Sequence, residues 1–110
     1  MYNTYIRDAG IAVVSRKIVE RTGNIKWLFR EVPVAPHDSG WRVLSDRDSA
    51  ECLEDAKNLA IVDFNDLCNL EPACICIYYL PIGSNIQLVV EPGGRRRWFD
   101  NKTKKEIPFR

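Results

Sequence analysis

Apolar residues fall along this chain in short runs rather than in long helical stripes, and each run is bounded by turn-forming residues. Gly10-Ile11-Ala12-Val13-Val14 is a continuous apolar run of strand length. Ser15 then stands as an N-cap for a short helix over residues 16–21, with Ile18 and Val19 facing inward, and Thr22-Gly23-Asn24 stops it. Residues 25–31 alternate, with Ile25, Trp27 and Phe29 on one face and Lys26, Leu28 and Arg30 on the other. Pro33 and Pro36 bracket a loop that carries the only histidine, His37. Residues 38–46 read as turn, strand, turn. Asp38 and Ser39 can bond their own backbone and Gly40 can take positive φ. Trp41, Val43 and Ser45 then share one face, with Arg42 and Leu44 on the other.

The second half follows the same logic. A short helix is expected from Ser49 to Lys57, with Cys52, Leu53 and Ala56 as its apolar stripe, and a strand over residues 59–62. Asp63 caps a helix through Asn69, with Phe64, Leu67 and Cys68 inward. The apolar octet 73–80 has the length and the Ile/Tyr/Cys content of a strand, with a buried helical turn as the alternative. Pro81-Ile82-Gly83-Ser84 is a turn. A strand over residues 85–91 carries Ile86, Leu88 and Val90 in alternation, and Pro92-Gly93-Gly94 turns it into a partner strand over residues 95–100. The polar tail 101–110 is expected to fray.

These elements predict an α+β domain over residues 1–110: a mainly antiparallel sheet of about five or six strands with two or three short helices on one side. The expected core is Val13, Ile18, Trp27, Phe29, Trp41, Val43, Ile61, Phe64, Leu67 and Ile75. At 110 residues, 45% hydrophobic and 28% charged, the chain can bury a core without metal or disulfide help. There is no internal repeat and no linker.

Charge and cysteine content narrow the function classes. The formal net charge of +1 is uneven: residues 95–110 carry seven Lys/Arg against two Asp/Glu, and residues 1–94 carry nine against thirteen. A basic tail on an acidic body permits nucleic-acid contact through Arg95, Arg96, Arg97, Lys102, Lys104 and Lys105, with Trp98 or Phe99 stacking on bases. It equally permits self-docking, and no known nucleic-acid-binding module is present, so that partner ranks low. Met1-Tyr2-Asn3-Thr4-Tyr5 lacks the basic-then-apolar pattern of a signal peptide, and no apolar run reaches the length of a membrane span. Cys52, Cys68, Cys74 and Cys76 are therefore read as reduced thiols of a cytoplasmic protein. Their spacing fits no zinc finger or ribbon. On a strand, Cys74 and Cys76 would share a face as small buried hydrophobes.

The chemistry-bearing candidates do not assemble into an active site. His37 lacks a nearby nucleophile or carboxylate set. Asp46-Arg47-Asp48 begins like a calcium loop but lacks its glycine at position six and its terminal glutamate. Gly93-Gly94-Arg95 lacks the following helix that a phosphate loop needs. No catalytic residue, cofactor or metal is expected, and the class that fits is a non-enzymatic binding protein.

Several landmarks together resemble a known family. Val13-Val14-Ser15-Arg16-Lys17 leads into a short helix. A strand ends in Phe29-Arg30-Glu31. Asp38-Ser39-Gly40-Trp41-Arg42 follows, with Leu44-Ser45, then residues 58–67 and Pro81-Ile82-Gly83-Ser84. Over residues 10–90 this order is similar to immunity protein thirty-three of the bacterial polymorphic toxin systems, once catalogued as a domain of unknown function. The Asp-Ser-Gly-Trp-Arg string is the most specific part. The chain departs from the pattern after Ser45, where it is less acidic, and at the Gly93-Gly94 hairpin. The resemblance implies a protein that binds and neutralises a cognate toxin. The expected partner face is the acidic segment 46–66 with the rim around Trp41: Asp38, Trp41, Arg42, Asp46, Asp48 and Glu51. Seven Asp/Glu lie in that segment against Arg47 and Lys57. Such a patch would steer the protein toward the basic site of a toxin that acts on nucleic acid.

Overall fold

The structure is a computed structural model and describes residues 4–49 and 55–108. Ten elements follow one another: β1 (Ile11–Ser15), α1 (Arg16–Val19), β2 (Ile25–Arg30), β3 (Asp38–Ser45), a 3-10 turn (Ala56–Asn58), β4 (Leu59–Asp63), α2 (Phe64–Leu70), a 3-10 helix (Pro72–Ile77), β5 (Asn85–Val90) and β6 (Arg96–Asp100). The strands form one six-stranded sheet in the order β4-β1-β3-β2-β5-β6. Only β1 and β3 run parallel; the other four pairings are antiparallel. The expected α+β class and mainly antiparallel sheet are both present.

Local chemistry sets the starts of the short helices. The Ser15 hydroxyl accepts from the Lys17 N–H at the head of α1, and the Asp63 carboxylate accepts from the Asn65 N–H at the head of α2. Asp55 does the same for Lys57 in the first 3-10 turn, and Glu71 for Ala73 in the second. Each carboxylate or hydroxyl satisfies a donor that the first helical turn leaves unpaired.

The core lies on one side of the sheet. Ala12, Val14, Leu28, Trp41, Val43, Ile86, Leu88 and Trp98 project to it and are buried against Ile18, Phe64, Leu67, Cys68, Cys74 and Ile77. Trp41 is wholly enclosed, with its indole N–H donating to the Tyr78 carbonyl at 3.1 Å. Burying a side chain of that size stabilises the fold by roughly 4–6 kcal/mol at most.

Several expectations are corrected. In β2 the pairing register with β3 shifts between Ile25 and Trp27, so a bulge intervenes. One extra residue reverses the facing of everything after it. Ile25 and Leu28 therefore share the core, while Trp27 is 41% exposed and Phe29 half-buried on the far side. Val13 and Ile61, paired across β1 and β4, also face away from the core, and Ile61 is 73% exposed. Ile75 is only half-buried, although it packs on the core.

Residues 38–40 are strand, not turn. Gly40 keeps its positive φ of +87° inside β3, where a Cβ would collide with the Glu31 carbonyl oxygen. Residues 73–80 contain no strand. Pro72 and the Glu71 cap start a 3-10 helix there, which buries Cys74 and leaves Cys76 exposed, so the two thiols do not share a face. Helix α1 stops at Val19 because Arg21 takes positive φ. The helix expected over residues 49–57 falls mostly outside the described residues; its end, Ala56–Asn58, is a 3-10 turn. The tail does not fray at its start. Ile107 N–H donates to the Trp98 carbonyl, and Glu106 bridges to Phe99 along β6.

Candidate interaction surface

The Asp38–Arg42 string is an internal brace. The Arg42 guanidinium donates from Nη1 and Nη2 to the two Asp38 carboxylate oxygens, at 2.9 and 2.7 Å. Its Nε donates to Glu31 at 3.0 Å, and Nη1 also donates to its neighbour's carbonyl, Trp41 O. Asp38 accepts in addition from the Gly40 and Val34 N–H groups. The guanidinium beside it holds the Asp38 carboxyl far below the usual carboxylate range, against the opposing effect of burial. Two carboxylates likewise push Arg42 up. This network fixes the loop between β2 and β3.

Arg30 braces the other side of the same strand pair. It donates to the Ser39, Tyr78 and Leu80 carbonyls and lies over the Trp41 and Tyr78 rings at 5.7 and 5.4 Å. The segment after the second 3-10 helix is thereby pinned to β2. The Tyr78 hydroxyl donates to the Ala9 carbonyl at 2.6 Å and ties in the lead to β1.

Of the six residues expected at a partner face, the five described ones do not come together on the surface. Trp41 is 0% exposed and belongs to the core. Asp38 and Arg42 are buried and engaged with each other. The Asp48 carboxylate is also enclosed. Its Oδ2 accepts from the Ser45 N–H and hydroxyl at 2.7 Å each, and Lys17 lies 3.8 Å from Oδ1, with the Ser15 hydroxyl also acting on the carboxylate. These groups hold the Asp48 carboxyl below its usual range although burial, the largest effect, opposes them. Asp46 is exposed, and its carboxylate accepts from the Asn24 N–H at 2.9 Å. Glu51 lies outside the described residues, as does Glu54.

The acidic segment is also divided in space. Asp46, Asp48 and Asp55 sit where β3 ends and β4 begins, whereas Asp63 is the last residue of β4 and Asp66 lies beyond it. Five strand residues separate the two groups by roughly 15 Å. Four of these carboxylates serve as caps or loop clamps, a use that spacing in sequence did not reveal.

The basic run is neutralised within the chain. Arg96 pairs with Glu71 at 3.0 Å, Arg97 with Glu106 at 2.8 Å, and Arg95 approaches Glu91 at 3.8 Å. Trp98 is buried with its indole N–H on the Ala73 carbonyl, so it offers no platform to a base. Of the expected stacking pair, Phe99 alone retains surface, and Arg97 covers its ring at 5.1 Å.

What sequence reading missed is the face of the sheet opposite the core. Register places Ile61, Val13, Arg42, Phe29 and Asn85 in one row across five strands. Leu44, Trp27, Gln87 and Phe99 form the adjacent row. No apolar member of these rows is fully buried, in contrast to the opposite face. The signal was present: β1 is apolar at its first four positions in succession and β2 carries bulky apolar residues on both parities. A strand apolar on both faces is either covered twice or presents one side to a partner.

Among the described residues, no group of three or more His, Cys, Asp or Glu is placed to hold a metal ion, and no helix is long and apolar enough to cross a membrane. His37 lies exposed in the β2–β3 loop, where its carbonyl accepts from the Ile11 N–H. Compared with known proteins, the chain matches the family model described as the immunity protein Imm33 domain over residues 12–99. That span runs past residue 90 and takes in the Gly93-Gly94 hairpin. No curated protein and no solved structure gives a significant match.

Proposed function

The chain belongs to the immunity protein Imm33 domain family, and on that premise we propose that it is a non-enzymatic protein that binds a cognate bacterial toxin and neutralises it. The observation that carries the proposal is the family match, which spans residues 12–99 of the 110. The geometry supports a binding role. The ionisable groups of the Asp38–Arg42 string are spent on bracing loops, not poised for chemistry. Loops held rigidly by Arg30 and Arg42 suit recognition, because little freedom is lost when a partner docks.

Within this reading the toxin is met in the cytoplasm. Asp46 supplies negative charge at one end of the sheet and steers a basic partner, and Glu51, five residues on in sequence, adds to the charge of that segment. Asp38, Trp41 and Arg42 act from beneath, as the frame that shapes the surface, rather than as contacts. The test is co-production with the toxin domain encoded beside this gene. Cells should survive with this protein and die without it, and the two chains should purify as a stoichiometric complex. A folded protein that neither rescues growth nor binds that toxin domain overturns the proposal. Asp46→Lys should slow association at low salt and leave it unchanged at high salt.

A further inference from the structure

The sheet face opposite the core raises a question of its own, separate from toxin recognition: what its apolar rows rest against. We infer that this face packs against the same face of a second copy of the chain, giving a two-fold helix–sheet–sheet–helix dimer.

The first argument is composition. An antiparallel sheet with one solvated side ordinarily alternates apolar-in and polar-out. Here the outward positions include Val13, Leu44, Trp27, Phe29, Ile61 and Phe99. Trp27 is 41% exposed and Ile61 73%. Among the described residues, the helices and the second 3-10 helix pack on the core side.

The second argument is charge. Arg42 on this face is already buried between Asp38 and Glu31, and Arg97 already pairs with Glu106 and Glu91. Covering the face therefore leaves neither arginine without a counter-ion. Nor does the face offer either one to a charged partner. Lys26 is a further cation beside this face, its ammonium 5.4 Å over the Trp27 ring, so a face of this kind does not complement the basic cleft of a nucleic-acid-cutting toxin. It does complement itself, which is what a two-fold isologous interface requires.

The third argument is size and shape. Six strands at the usual spacing give a face about 24 Å wide, and strands of five or six residues, β3 alone being longer at eight, make it about 18 Å tall over most of its width. That is about 430 Å² in projection, and side chains standing on a sheet expose more than their projection. A standard specific interface buries about 800 Å² per partner, so a face of this size suits a weak, concentration-dependent dimer at the low end of the range. Two such sheets stack about 10 Å apart with their strands within about 30°, the geometry of a sandwich. Trp27, next to the one-residue bulge at Lys26, is the large anchor that such an interface needs near its middle.

The test uses the intact chain. Sedimentation equilibrium from low-micromolar to millimolar concentration should show the mass double from 12.7 kDa. Trp27 reports the contact directly, since Trp41 and Trp98 are 0% and 3% exposed. Acrylamide should quench a fraction of the fluorescence in dilute protein and much less at high concentration. Ile61→Asp, at a residue outside the core, should weaken self-association roughly tenfold or more, and Trp27→Glu at least as much. Tyr79→Glu, on the core side of the sheet, should leave it unchanged. A chain that stays monomeric throughout overturns the inference and leaves the face to a different partner. So does a dimer that survives both face variants while their circular dichroism is native. Neither result touches the toxin-binding proposal, which rests on family membership and is tested by rescue of growth.

Discussion

Removing the Asp38 carboxylate should be among the most damaging single changes available in this chain. The group is buried and accepts four hydrogen bonds: two from Arg42, at 2.9 and 2.7 Å, one from Gly40 N–H at 2.8 Å and one from Val34 N–H at 3.0 Å. Asp38→Ala leaves the buried Arg42 with Glu31 and a single backbone carbonyl. It also strands the Gly40 N–H. Breaking a buried pair by deleting one member costs about 3–5 kcal/mol, because the other charge stays desolvated. Glu31→Ala removes the other carboxylate, but its side chain is 54% exposed and solvent screens the pair, so its loss should cost under about 1 kcal/mol. Asp38→Leu with Arg42→Met removes both charges together and should recover much of the loss. The sign with pH follows from the depressed Asp38 carboxyl. Its contribution is full above the unfolded-state value near 3.9, and it is lost as pH falls below that toward the folded-state value. Urea unfolding followed by far-ultraviolet circular dichroism, at neutral pH and at successive steps below about pH 4, measures all of this. The gap between wild type and Asp38→Asn should narrow on acidification. The reasoning fails if Asp38→Ala lies within about 1 kcal/mol of wild type, if Glu31→Ala costs as much, or if the gap does not depend on pH.

Two further expectations are simpler to test. In a Cys52→Ser background, a thiol reagent at mildly alkaline pH should modify Cys76 in the folded protein. Cys68 and Cys74 should react only on unfolding, because both are buried, with Cys68 pushed up to about 11 and Cys74 held well above the usual thiol range by burial; two rapid thiols in the native state would refute this. Deleting Lys26, the residue that β2 carries in excess of β3, should leave a folded protein with Trp27 still exposed to acrylamide, since regular alternation then sends Ile25 and Leu28 inward. Loss of the fold, or burial of Trp27, would show that the bulge supplies twist the sheet cannot do without.

The strands and helices were legible because local signals and tertiary need agree at most positions. Ser15 and Asp63 cap the helices they announced, and Ile86 and Leu88 alternate into the core as expected. Residues 73–80 were ambiguous for a physical reason: an apolar octet fits a buried strand and a buried turn alike. Here Pro72 and the Glu71 side chain decided for the turn. The candidate site was far less legible. Asp38, Arg42 and Asp48 carry charge in sequence, and sequence alone gives no sign that each is enclosed with a partner. The separation of Asp46 from Asp63 by the length of β4 depends on a strand order in which the chain leaves β3 and returns beyond β1.

The bulge in β2 links these failures. A period of two is a strict code only while pairing is regular, and one extra residue inverts it. Reading through Lys26 without a bulge puts Trp27 and Phe29 in the core and leaves the opposite face with little apolar surface. With the bulge, Leu28 takes the core position between Val43 and Ile86, and the two aromatics pass to the other side beside Leu44 and Arg42. The same residues thus change from evidence for a core into evidence for an interface. This also accounts for the buried ion pair on an otherwise apolar face. The Arg42 guanidinium lies across from Phe29, and without Asp38 and Glu31 it would be a desolvated charge wherever that face meets a partner. With them it is already neutralised, so the cost of burying it falls on folding and not on association.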